Sequence, residues 1–97
     1  MNGKFYTLRE SRVFKEQAKK IADIRYIDEA LLILTEAIAR NPDAFSLVSG
    51  FKNIKIAKTK PYTRGGASVP PLRLWFKKID NNIVELLAIE PYEEQTD

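Results

Sequence analysis

Ninety-seven residues, 44% of them apolar and 30% charged, suit a single domain spanning 1–97 with one core. Cysteine and histidine are both absent, which excludes disulfide frameworks, thiolate or zinc sites and Ser-His triads; the expectation is a protein without a cofactor. Formal net charge is only +3, yet the run between Asp43 and Asp80 holds eight of the sixteen Lys and Arg residues and none of the thirteen carboxylates.

In chain order, Lys4-Phe5-Tyr6-Thr7-Leu8 reads as a short β-prone opening strand. The period then changes. Val13, Phe14, Gln17, Ala18, Ile21 and Ala22 recur at helical spacing, with Lys15, Glu16, Lys19 and Lys20 opposite. Either Ser11 or Thr7 is placed to cap this helix. A second helix follows Asp28, a good N-cap, with an apolar stripe of Ala30, Leu31, Leu34, Ala37 and Ile38. Pro42 ends it by disfavouring helical backbone at Asn41. The few residues around 24–27 between the helices predict an antiparallel hairpin.

Three strand signals follow the connector 43–50. In 53–58 (NIKIAK), alternation puts Ile54 and Ile56 on one face and Lys55 on the other. In 72–79 (LRLWFKKI), Leu72, Leu74 and Phe76 oppose Arg73, Trp75 and Lys77. The segment 83–89 (IVELLAI) is nearly all apolar, as suits a strand with little solvent on either side. Asp80-Asn81-Asn82 marks a hairpin turn. A two-residue Asn81-Asn82 loop pairs Lys78 with Glu85, Phe76 with Leu87 and Arg73 with Glu90, whereas a three-residue loop shifts that register. The stretch 59–71 (TKPYTRGGASVPP), rich in proline, glycine and small polar residues, reads as a flexible loop. The expected fold class is therefore α+β: an N-terminal strand, an antiparallel helix hairpin, then a three-stranded antiparallel sheet.

This arrangement directs Ile54, Ile56, Leu72, Leu74 and Phe76 to the helices and leaves Lys55, Arg73, Trp75 and Lys77 on the opposite face. Clustered cations neutralise phosphates and release counterions, and the Trp75 indole offers an unpaired base a stacking surface. Lys52, Lys58, Lys60, Arg64, Trp75 and Lys77 are thus nucleic-acid-binding candidates, with Lys60, Tyr62 and Arg64 placed to close over a strand. An acidic protein partner, or a solvated face that resists edge aggregation, are the alternatives. MNGKFYTLRE has no apolar run of the signal-peptide kind, and no segment approaches ~20 apolar residues. A cytoplasmic protein without membrane contact is the expectation.

The order of elements, Gly50-Phe51-Lys52-Asn53-Ile54-Lys55-Ile56 with its lysine-bearing strand, and Leu72-Arg73-Leu74-Trp75-Phe76-Lys77-Lys78-Ile79-Asp80 resemble the RelE/ParE toxins of bacterial type II toxin–antitoxin systems. The resemblance spans nearly the whole chain. It implies a RelE-like fold and a cytotoxin neutralised by a cognate antitoxin protein. RelE-like members are endoribonucleases that cleave mRNA on the ribosome and so inhibit translation; ParE-like members inhibit DNA gyrase without cutting RNA, and inactive relatives only engage an antitoxin. For the nuclease reading, the resemblance implies Lys55 as base or phosphate ligand and Arg73 as transition-state stabiliser. After the last strand, where family nucleases carry a basic or His/Tyr group, stands Glu90-Pro91-Tyr92-Glu93-Glu94, making Tyr92 the conventional catalytic candidate. A general single-strand RNA-binding domain is a third reading.

Overall fold

A computed structural model describes residues 5–93. The chain runs β1 (Thr7–Glu10), α1 (Arg12–Ile21), α2 (Ile27–Arg40), a 3₁₀ turn (Pro42–Ala44), β2 (Ser46–Leu47), β3 (Ile54–Lys58), β4 (Tyr62–Arg64), β5 (Ala67–Val69), β6 (Leu72–Lys78) and β7 (Ile83–Pro91). Five strands form one sheet in the order β1-β7-β6-β3-β2, while β4 and β5 form a separate two-stranded ribbon. Among the described residues no helix is long and apolar enough to cross a membrane.

The class remains α+β, but the architecture corrects the expected one. The main sheet has five strands and is mixed, because β1 runs parallel to β7, from Thr7 opposite Ile83 to Glu10 opposite Leu86. The opening strand also sits later than Lys4–Leu8, and Lys4 lies outside the described residues. A two-residue strand such as β2 is too short to show any periodicity. The helices do not form a self-packed hairpin either. Helix α1 docks on β7: the Ser11 N–H donates to Leu86 O at 3.0 Å, and the Ile89 N–H donates to Gln17 Oε1 at 2.8 Å.

Ser11 is also the cap of α1, its hydroxyl accepting from the Phe14 N–H at 3.0 Å. Helix α2 opens differently from the expected Asp28 cap. Tyr26 stands before it with φ +64°, and Asp28 lies in the first turn, where its charge complements the helix dipole. Pro42 does stop α2, which ends at Arg40.

One side of the sheet carries the core. Phe14, Ile21, Ile27, Ala30, Leu34 and Ile38 of the helices meet Ala57, Leu72, Leu74, Phe76, Val84, Leu86 and Ile89 of the strands. The face assignment of β6 matches the alternation read from sequence; that of β3 is reversed. Ala57 is the buried residue of β3, and Ile54 and Ile56 point to the side away from the helices. Alternation alone favours two isoleucines over one alanine as the inward set. In the sheet, however, residues opposite one another share a face, and Ala57 is opposite buried Leu74 while Lys55 is opposite buried Phe76.

The β6–β7 hairpin resolves the register question with a bulge. Near the turn, Lys77 pairs with Glu85 and Phe76 with Leu86; beyond it, Trp75 pairs with Ala88 and Arg73 with Glu90. Leu87 is therefore the extra residue, and the bulge moves Ile89 rather than Ala88 to the core. The Ser11 hydroxyl donates to Leu87 O at 3.0 Å, so the cap of α1 also satisfies the carbonyl at the irregularity. The turn itself is closed by Asp80, whose carboxylate accepts from the N–H groups of Asn82 and Ile83 at 2.7 and 2.9 Å.

The segment 59–71 is not a flexible loop but contains the β4–β5 ribbon. Its two-residue turn, Gly65-Gly66, has φ +57° and +81°, the handedness that tight hairpins need and that glycine adopts without steric cost. Val69 is buried and Tyr62 packs on the same core. The ribbon folds toward the start of α2, where a Cβ on Gly65 would lie 3.0 Å from the Tyr26 hydroxyl.

A mixed apolar and charged face of the sheet

On the side away from the helices, strand pairing lines up three rows across β3, β6 and β7. The first is Ile54, Lys77 and Glu85; the second is Ile56, Trp75 and Ala88; the third is Lys58, Arg73 and Glu90. The middle row is apolar, and each outer row sets a cation of β6 beside a carboxylate of β7. Lys77 Nζ lies 3.9 Å from Glu85 Oε1, and Arg73 Nε lies 3.3 Å from Glu90 Oε1. The Arg73 Nε–H is shielded from solvent and makes no hydrogen bond, so the contact with Glu90 is electrostatic.

Aromatic rings hold the Arg73 guanidinium as well. Its carbon is 5.5 Å from the Trp75 ring centroid and 5.2 Å from that of Tyr92. Tyr92 is fixed at both ends: its N–H donates to Pro71 O at 3.0 Å and its hydroxyl to Thr59 O at 3.1 Å. Lys58 Nζ approaches the Tyr92 ring at 6.0 Å. The result is a half-buried Trp-Arg-Tyr cluster with Lys58 exposed beside it.

The other candidates are dispersed. Lys55 belongs to the helix side, only 19% of its side chain is exposed, and its Nζ is 3.7 Å from Asp43 Oδ1. Lys78 reaches the same carboxylate at 3.2 and 3.3 Å and lies 5.4 Å from the Tyr6 ring. The Asp43 hydrogen bond first, and Tyr6 second, hold the Lys78 ammonium above its ordinary pKa. Arg64 faces α2, with Glu29 at 3.3 Å and the Tyr26 ring at 5.2 Å, instead of closing over the sheet. Lys52 and Lys60 are exposed in the segments flanking β3. Among the described residues, Lys52, Lys58 and Lys60 are the members of the cationic run without an ion-pair partner.

The run that reads as wholly positive is thus largely neutralised in three dimensions, and its lysines and arginines do not converge on one surface. Arg73, Trp75, Lys77, Lys58 and Tyr92 share the open face, whereas Lys55 and Arg64 lie elsewhere. Sequence reading missed Asp43 as the clamp between β3 and β6, since nothing local links residues 43, 55 and 78. Glu90 was within reach of the hairpin register, which already sets it opposite Arg73. Of the acidic segment after β7, Glu94 lies outside the described residues.

The arrangement suits binding. An apolar centre carrying an indole, flanked by ion pairs and an arginine between aromatic rings, has the composition of a protein-recognition surface, where Trp, Tyr and Arg supply most of the affinity. No protein-family model matches the chain, and no curated protein matches its sequence.

Proposed function

We propose that this protein is the toxin-type member of a two-protein pair and acts by binding its target, as a ParE-like inhibitor of DNA gyrase, rather than by cutting RNA. The open sheet face is its binding surface, with Trp75, Arg73 and Tyr92 as the anchoring side chains. One observation carries the choice of binding over scission: Lys55 and Arg73 emerge on opposite sides of the sheet. Cleavage by the ribose 2′-hydroxyl requires its base and its phosphorane stabiliser within hydrogen-bond reach of one phosphate. Two further contacts favour the same reading. The Tyr92 hydroxyl already donates to a backbone carbonyl, and Glu90 beside Arg73 repels a phosphate chain. The toxin part of the proposal rests on the motif likeness around Lys55 and Arg73. A pairing antitoxin is part of that likeness.

Induced expression followed by mapping of RNA ends and of plasmid supercoiling tests this directly. Growth arrest with intact messages, altered supercoiling and relief by Trp75→Ala is the expected result. New breaks inside codons that depend on Arg73 would overturn it and restore the ribosome-dependent mRNA interferase.

A further inference from the structure

Helix α2 carries a second surface, on the side of the molecule opposite the open sheet face. Its inward stripe is Ile27, Ala30, Leu34 and Ile38. Ile33, Glu36, Ala37 and Arg40 fall together on an outward stripe, at the i, i+3, i+4 and i+7 spacing of one helix face. Ile33 is 61% exposed, the most exposed large apolar side chain among the described residues. Beside it lies an open hollow of about 350 Å³, mostly apolar, reaching from α2 to Ala44 at the end of the 3₁₀ turn and Phe45 just after it.

The charges at this hollow are one acid and one base. Glu36 and Arg40 stand four residues apart, the spacing at which such a pair commonly joins within a helix. Here they do not: neither has an ion-pair partner among the described residues, and the Arg40 guanidinium instead lies 5.3 Å from the Phe5 ring. An unpaired acid and an unpaired base on one side of a helix, with an exposed aliphatic side chain and an apolar hollow between the same elements, form a self-complementary set. Two-fold symmetry requires that property, since each patch must serve as its own partner.

We infer that the outward stripe of α2 docks a second copy of this chain, making an antiparallel isologous dimer. A two-fold axis near Ala37 sets Glu36 of each copy against Arg40 of the other and directs each Ile33 toward the opposing hollow at Ala44 and Phe45. The interface uses none of the residues of the open sheet face, so the dimer presents two such faces on its outside. It stands independently of the toxin reading.

The test is sedimentation velocity of the full chain across roughly three decades of concentration around the micromolar range. The wild type is expected to pass from monomer to dimer. Glu36→Arg alone, or Arg40→Glu alone, replaces an attraction with a like-charge contact across the axis and weakens association by at least about tenfold. An equimolar mixture of the two variants restores it as a heterodimer, and the double variant Glu36→Arg/Arg40→Glu restores the homodimer. Ile33→Asp abolishes it. All these positions are exposed, and thermal unfolding checks that each variant is folded. A wild type that stays monomeric at every concentration overturns the inference. So does a dimer indifferent to the single charge reversals, or a mixture that fails to recover association.

Discussion

The two sides of the β3–β6–β7 sheet handle cations in different ways. On the helix side, Lys55 and Lys78 from two strands share Asp43, which arrives from the turn after α2. On the open side, Lys77 and Arg73 are matched by Glu85 and Glu90 of the neighbouring strand. The first arrangement ties the turn after α2 to the sheet and so belongs to the fold. The second joins residues that are cross-strand neighbours already, and adds little to what the β ladder provides. Charges on that side are consequently available to a partner at small cost in stability, and the apolar row between them is open.

Adjacent residues of β6 give the sharpest test of this contrast. Phe76→Ala removes a fully buried ring and is expected to destabilise by about 3–5 kcal/mol. Trp75→Ala, one residue away on the open side, should cost no more than about 1.5 kcal/mol while abolishing the target binding proposed for that face. Urea denaturation measures both; equal losses would mean that the open side is covered after all. Gly65→Ala ranks next at about 1–2 kcal/mol, because left-handed backbone and a 3.0 Å approach to the Tyr26 hydroxyl both resist a Cβ. It should release the β4–β5 ribbon from α2, detectable as faster hydrogen exchange across 62–69.

Ser11→Ala is expected to cost about 1 kcal/mol. It removes the α1 cap and the hydroxyl that satisfies Leu87 O at the bulge, so exchange should rise on the helix side and not at Lys58. The smallest effect separates the two kinds of ion pair by pH. The Lys78 pKa is raised in the folded protein, so its stabilisation is fully present below 10.5 and is lost as pH climbs through the folded value. The Arg73–Glu90 pair contains no lysine. Unfolding midpoints taken from neutrality to beyond 10.5 should therefore show an alkaline loss that Asp43→Asn diminishes and Glu90→Gln leaves unchanged.

Much of the fold was legible because its signals are local. The Phe14 and Ile21 spacing marks the buried side of α1, the Pro42 stop ends α2, and the inward set Leu72, Leu74 and Phe76 defines β6. The failures share one cause. Ile54 and Ile56 outscore Ala57 in apolar content, but register against Leu74 decides which side faces inward. The bulge at Leu87 is equally silent in an apolar run where any residue suits either side. Gly65-Gly66 signalled a turn, yet whether it closes a ribbon or lies in a loose loop depends on Val69 finding the core.

For the candidate site, the residue types were readable and their grouping was not. Composition and period by themselves determined the absence of His and Cys chemistry, the two helices, the central strands and the Arg73–Trp75 pair on one side of β6. Only the tertiary structure decided the parallel placement of β1, the reversal of β3, the withdrawal of Lys55 to Asp43 and the turning of Arg64 toward Glu29. The physical reason is range. Backbone preference and amphipathic period act within a few residues, whereas register and ion-pair partners are chosen between segments that meet only after the chain has folded.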